Sequence, residues 1–205
     1  FVVAPPSFAA RWLVPRLKEF SVISPCIQLH LLSSPTTIDN DQPGALQAFD
    51  SIDLREEDSR VAICFGAGAY AGYQVDRLFS SDYVAVCSPK LLEGPQPLRH
   101  PVDIRFHVLI HDDTIANQRA RPTWEEWLRL AGVTGVDCHA GPHFRDSGLA
   151  LVAAIDGQGV ALASKPLAAA EIAAGRLVSP FKIAVQQPYA YYLVAPEATA
   201  GRPEV

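Results

Sequence analysis

The sequence predicts an α/β fold with largely parallel strands. Three observations lead there. Short apolar runs alternate with helical periods along the whole chain. The stretch from His139 to Leu162 reads as strand, helix, Gly-x-Gly turn and buried strand, a β–α–β unit. The chain has 205 residues, 49% of them hydrophobic and 19% charged, enough for a sizeable core in one large domain or two small ones.

Taken in order, Phe1 to Ala4 is a short strand, and Pro5, Pro6 and Ser7 form a turn and cap. Trp12, Leu13, Leu17 and Phe20 mark an amphipathic helix over roughly residues 7–21. Pro15 lies inside it and predicts a kink. Ile27 to Leu32 alternates as a second strand, followed by a polar, turn-rich stretch from Ser33 to Pro43. Ala45 to Phe49 suggests one helical turn, and Asp50 to Ser59 is acidic and solvated. Val61 to Phe65 is a continuous apolar strand that leaves through Gly66 to Tyr70.

Leu78–Phe79 and Tyr83–Cys87 read as two further strands, with a helical turn from Ser88–Pro89 and a loop over Gly94–Pro101. Val108 to His111 is another strand. Trp124, Trp127, Leu128 and Ala131 mark a helix that Pro122 or Thr123 starts and Gly132 stops. Asp146 or Ser147 caps the next helix, because either side chain can accept from the free amides of its first turn. Leu149, Val152 and Ala153 recur on one face, predicted to pack on something apolar. Gly157 and Gly159 turn the chain into a buried strand from Val160 to Ala163. Pro166 and Gly175 bracket an Ala-rich helix. Leu177–Val178 and Lys182–Val185 are short strands, and Tyr189 to Ala195 is an aromatic-rich one.

The net charge of −5 and the pI near 5.6 argue against a chain that itself wraps nucleic acid. No apolar run approaches the roughly 20 residues that cross a bilayer. No signal-peptide pattern opens the sequence. The scattered cysteines, Cys26, Cys64, Cys87 and Cys138, read as buried thiols of a reducing, cytoplasmic compartment. The chain has no Met and starts at Phe1, which reads as a piece of something longer.

Candidate binding groups recur just after the carboxyl ends of predicted strands: Ser7 with Phe8, Thr36 with Thr37, Gly66, His111, Asp146 with Ser147, and Lys165. Each alone is an ordinary cap or turn. Together they suggest a ligand cleft lined by strand ends and helix N-termini. The competing motifs are thinner. Gly66-x-Gly68 lacks a third glycine and a following helix, so it is no dinucleotide fingerprint. His139 and His143 flank Gly141 and Pro142 and share no helix face, so no metal is expected. His111-Asp112-Asp113 has no nucleophile beside it, and no catalytic residue or cofactor is expected.

The segments PPSFAARWLVPRLKEF, VAICFGAG, DRLFSSDYVAVCSPKLL, LRHPVDIRFHVLIHDD, TWEEWLRLAG, FRDSGLALVAAIDGQGVALASKPL, GRLVSPF and YAYYLVAPE, in that order, resemble the effector-binding domain of LysR-type transcriptional regulators. They resemble in particular the glycine-cleavage-activator and β-lactamase-regulator branch. It implies two Rossmann-like subdomains joined by two crossing strands, as in type 2 periplasmic binding proteins. Subdomain I falls on residues 1–83 plus 190–205 and subdomain II on 84–189. The resemblance implies a small polar effector between them, held at Ser7, Phe8, Thr36, Thr37, Phe65, Gly66, Asp146 and Ser147; the strand-end pattern adds His111 and Lys165. It also implies a homodimer or homotetramer that reaches DNA through an N-terminal helix-turn-helix outside this sequence. The alternative is a solute-binding protein of the same fold that serves a transporter. Relatives in that branch carry Arg and Tyr where this chain has Cys64 and Phe65, so a fixed cation is missing beside the expected site.

Overall fold

The computed structural model describes residues 1–39, 59–198, 200 and 201. The suggested helical turn at Ala45–Phe49 and nearly all of the acidic stretch after it lie outside these residues. The chain divides into two compact units. The first is Phe1–Ser80 with the segment from Pro188 onward, and the second is Ser81–Gln187.

The first unit is a five-stranded sheet in the order β2-β1-β3-β10-β4. Its strands are β1 (Val2–Ala4), β2 (Leu31–Ser33), β3 (Val61–Gly66), β4 (Tyr73–Ser80) and β10 (Ala190–Pro196). Strands β2, β1 and β3 run parallel, whereas β10 is antiparallel to both β3 and β4. Alternation along β3 and β10 sorts the two faces. Cys64 and Val194 join Val3, Ala62 and Tyr70 on one side. On the other, Phe65 and Tyr191 have ring centroids 4.5 Å apart, and Phe8 lies 4.7 Å from Tyr191.

The helical run after β1 is broken as Pro15 predicts. It is α-helical over Pro6–Phe8 (α1), a π-helix over Ala9–Leu13, 3-10 over Val14–Arg16 and α-helical again over Leu17–Ile23 (α2). Pro15 has no N–H for the carbonyl one turn back, so the ladder widens before it and tightens across it. The Arg16 guanidinium donates to the Trp12 carbonyl at 2.7 Å and stacks over the Trp12 ring.

The second unit is also five-stranded, in the order β7-β6-β8-β5-β9. Its strands are β5 (Tyr83–Cys87), β6 (Leu109–Asp112), β7 (His143–Phe144), β8 (Val160–Ser164) and β9 (Ala184–Val185). Strands β7, β6 and β8 are parallel, and β5 is antiparallel to β8 and β9. Every residue of β5 and β8 is buried, as expected of strands covered on both faces. The helices are α3 (Trp124–Ala131), α4 (Ser147–Ile155) and α5 (Lys165–Ala173). Thr123 caps α3 by accepting from the Glu126 amide, and Gly132 ends it at a left-handed φ of 66°.

Several expectations are corrected. The sheets are mixed rather than largely parallel, because no helix separates β3 from β4 or β4 from β5. Strand β4 is longer than the predicted Leu78–Phe79, and β2 is shorter than Ile27–Leu32. Helix α4 packs through Ala150, Leu151, Ala153 and Ala154, and leaves Leu149 and Val152 exposed. That helix is apolar nearly all round, so periodicity could not choose its inner face. All four cysteines are free; Cys64 and Cys87 are buried, but Cys26 is exposed and Cys138 half-buried.

Candidate functional site

In each unit the carboxyl ends of the parallel strands carry polar groups. In the first unit Ser7 lies in α1 just after β1 and is buried, and Phe8 is fully buried in the aromatic face. After β2, Ser34 organises Pro35–Thr37. Its hydroxyl accepts from the Thr36 amide and shares a 2.7 Å hydrogen bond with the exposed Thr36 hydroxyl. Thr37 is fully buried and donates its hydroxyl to the Ser34 carbonyl at 2.7 Å. Phe65 packs on Tyr189 and Tyr191, and Gly66 ends β3.

The sequence reading missed Asp39. Its carboxylate accepts from the Ala67 amide at 2.9 Å and from the Tyr70 hydroxyl at 3.0 Å. It lies where a side chain on Gly66 would be, which is the reason for glycine there. Burial, helped by the Asp39 charge, pushes the Cys64 thiol up to about 12. Cys64 is therefore an inert thiol. Asp39 is 28 residues from Ala67, and no local pattern marks that contact.

In the second unit Asp146 and Ser147 open α4. Asp146 is the cap and accepts from the Leu149 amide at 3.1 Å. Ser147 donates to the Thr114 hydroxyl at 3.1 Å, and Thr114 donates to Asp112 from both its amide and its hydroxyl. Burial raises the Asp112 carboxyl above the usual carboxylate range, opposed by the hydrogen bonds from Ser147 and Thr114. Lys165 is exposed at the start of α5, and its amide donates to the Asp82 carbonyl. Beside it Ser164 and Ser81 share a buried hydroxyl–hydroxyl hydrogen bond of 2.6 Å. Ser147, Asp146, Asp112 and Thr114 thus form one cluster, while Lys165 belongs to a neighbouring strand end.

His111 is inside β6 rather than after it, and it stacks on His143. His143 Nδ1 is 3.0 Å from Asp113, whose other oxygen accepts from Arg121 at 2.7 Å. These side chains line a cavity of about 330 Å³ with Trp124 and Leu162. His111 was expected from its strand end, but His143, Asp113 and Arg121 were not; they meet only through tertiary packing. Among the described residues no group of three or more His, Cys, Asp or Glu is arranged to hold a metal ion. Nor is any helix among them long and apolar enough to cross a membrane.

Two mixed five-stranded units linked by two chain passages, with helix starts at the carboxyl strand edges, define a two-subdomain α/β class whose strand edges are where small ligands usually bind. The particular family is the LysR substrate binding domain family, to which the chain belongs, matching it over residues 1–205. It is 38% identical over 196 residues to the glycine cleavage system transcriptional activator of Escherichia coli strain K12, covering 95% of this chain. It is 30% identical over 188 residues to the transcriptional activator AmpR of Citrobacter koseri, covering 92% of this chain. The chain spans 57% and 58% of the length of these two relatives. Among solved structures it is similar to the effector domain of AmpR of Pseudomonas aeruginosa. There the TM-score is 0.70 at 28% identity, covering 96% of this chain and 85% of that one. The AmpR effector binding domain of Citrobacter freundii shares the fold with a TM-score of 0.73, covering 98% of this chain and 90% of that one. The relatives are transcriptional regulators, so the family does not support the transporter alternative.

Proposed function

We propose that this domain senses a small polar metabolite for a transcriptional regulator and performs no catalysis. The two units are regulatory subdomains I and II, close to residues 1–83 with 190–205 and residues 84–189. The ligand takes its polar contacts from the strand-edge groups: Ser7, Thr36 and Gly66 in one unit, with the buried Thr37 holding the Ser34–Thr36 turn beneath them, and Asp146, Ser147, His111 and Lys165 in the other. Phe8 and Phe65 supply the apolar backing. In this reading the full protein is a cytoplasmic homodimer or homotetramer that reaches DNA through a separate region. Ligand binding then shifts an equilibrium between two states by the difference in its affinity for them.

The single observation that supports this most is the start of α4. Asp146 caps it, Ser147 and the first-turn amides lie at the strand edge, and the Asp112–Thr114 pair fixes the Ser147 hydroxyl. With its proton given to Thr114, the Ser147 hydroxyl keeps lone pairs that accept from a polar head group of the ligand.

A thermal-shift screen of the chain against amino acids, small carboxylates and cell-wall fragments tests it, because a ligand of the folded state raises apparent stability. A saturable shift from one chemical class is expected, reduced in Ser147→Ala and in Thr37→Val. Thr37→Val also removes the donor to the Ser34 carbonyl, costing about 1 kcal/mol without unfolding the unit. If both variants bind as the wild type does, these strand edges are not the site.

A further inference from the structure

The His111–His143 pair plays no part in the ligand contacts above beyond the position of His111. The two residues are register partners across β6 and β7, and their rings stack with centroids 4.1 Å apart and planes inclined by 10°. Strand β7 is two residues long. At its two ends the pairing is closed by backbone bonds from His111 N to the Pro142 carbonyl at 2.9 Å and from Asp113 N to the Phe144 carbonyl at 2.7 Å. The ring stack is the side-chain cover of that short pairing, and the chain beyond β7 leads directly into Asp146 and Ser147.

We propose that the His111–His143 stack is a proton-operated clasp on β7, closed when the His111 ring is neutral and released when it is protonated against His143. A proton on His111 is opposed by the stacked His143 ring, which already engages one oxygen of Asp113. Asp113 already shares its charge with Arg121 through its other oxygen. From the segment before β7, His139 faces the same cavity and also disfavours a proton on His111, and Cys138 lines it as well. Asp112 on β6 and Glu125 on α3 are the remaining carboxyls there. Burial holds His111 below the ordinary imidazole range; the Ala140 carbonyl, 3.2 Å from its Nε2, offsets this only in part, and the clasp stays closed at neutral pH. Acidification through the mildly acidic range protonates His111 against His143 and opens the β7 edge.

Hydrogen exchange of the 205-residue chain tests this without any ligand, independently of the proposed function. The readouts are the protection factors of the His111 and Asp113 amides, which close the β6–β7 pairing. In the wild type they should fall about tenfold between about pH 7.5 and about pH 5.5. The β3–β10 ladder in the other unit should keep its protection. His111→Phe retains a stacking ring that cannot titrate, and protection should then stay within about twofold over the same range. His143→Phe, at an exposed position that accepts a ring without repacking, should behave likewise and serves if His111→Phe fails to fold. Protection that holds in the wild type overturns the proposal. So does an equal loss in a folded Phe variant.

Discussion

The carboxyl strand edges of the two units are built by different means. In the first, apolar packing sets the start of α1: Phe8, Phe65, Phe79 and Tyr191 interlock there, and α1 begins with no side-chain cap. In the second, a hydrogen-bonded chain sets the start of α4, from Ser147 through Thr114 to Asp112, with Asp146 capping the helix. A packed edge fails when volume is removed or added. A hydrogen-bonded edge fails when protonation or a partner changes. The largest expected effect therefore belongs to the first unit. Tyr191 touches Phe8, Phe65 and Phe79 and is only 3% exposed. Tyr191→Ala should cost about 3–5 kcal/mol in urea unfolding, the range for deleting a buried aromatic side chain. A cost below about 1 kcal/mol would mean that packing does not organise this edge.

The same contrast explains what the sequence revealed. Strand β5, and β8 to within one residue, were legible because a continuous apolar run of that length flanked by turn residues has few other readings. Thr123 and Asp146 were legible as caps because capping is local. Strand β4 was largely missed because it is mostly solvent-facing and carries Asp76 and Arg77 amid its apolar residues. The inner face of α4 was misjudged because Leu149 and Val152 are as apolar as the residues that pack. At the candidate site the strand-end rule located the start of α4. It could not show Asp39 resting over Gly66, nor His143 joined to Asp113 across 30 residues. Those contacts are set by tertiary packing, which no local pattern encodes.

Gly66 offers a sharper test of the packed edge. Its substitution adds volume where Tyr191→Ala removes it. Gly66→Ala places a Cβ in the Asp39 carboxylate and must displace it from the Ala67 amide and the Tyr70 hydroxyl. Overpacking of this kind should cost about 1–3 kcal/mol, measured by denaturant midpoint. Combining it with Asp39→Ala should restore part of the loss, since the clash then disappears. Additive losses would show that Asp39 is not what fills the space.

The smallest effect is expected in the second unit and depends on pH. Burial raises the Asp112 carboxyl above its ordinary value, so the folded chain keeps a proton that the unfolded chain releases. Stability falls as pH rises from about 3.9, the unfolded value, through the folded value, and is level beyond it. Asp112→Asn keeps an acceptor for Thr114 and removes this titration. The variant should therefore gain on the wild type as pH rises and lose that gain in acid. His111 opposes this. Its folded value is depressed, so its contribution is whole above about pH 6.5 and is lost as pH falls through the folded value. The two slopes have opposite signs and belong to neighbouring residues on one strand, so the wild-type profile alone cannot separate them. Melting temperatures of wild type, Asp112→Asn and His111→Phe across that range do separate them. If Asp112→Asn follows the wild-type profile in parallel, its carboxyl has the same proton affinity folded and unfolded. The hydrogen bonds from Thr114 and Ser147 would then balance its burial.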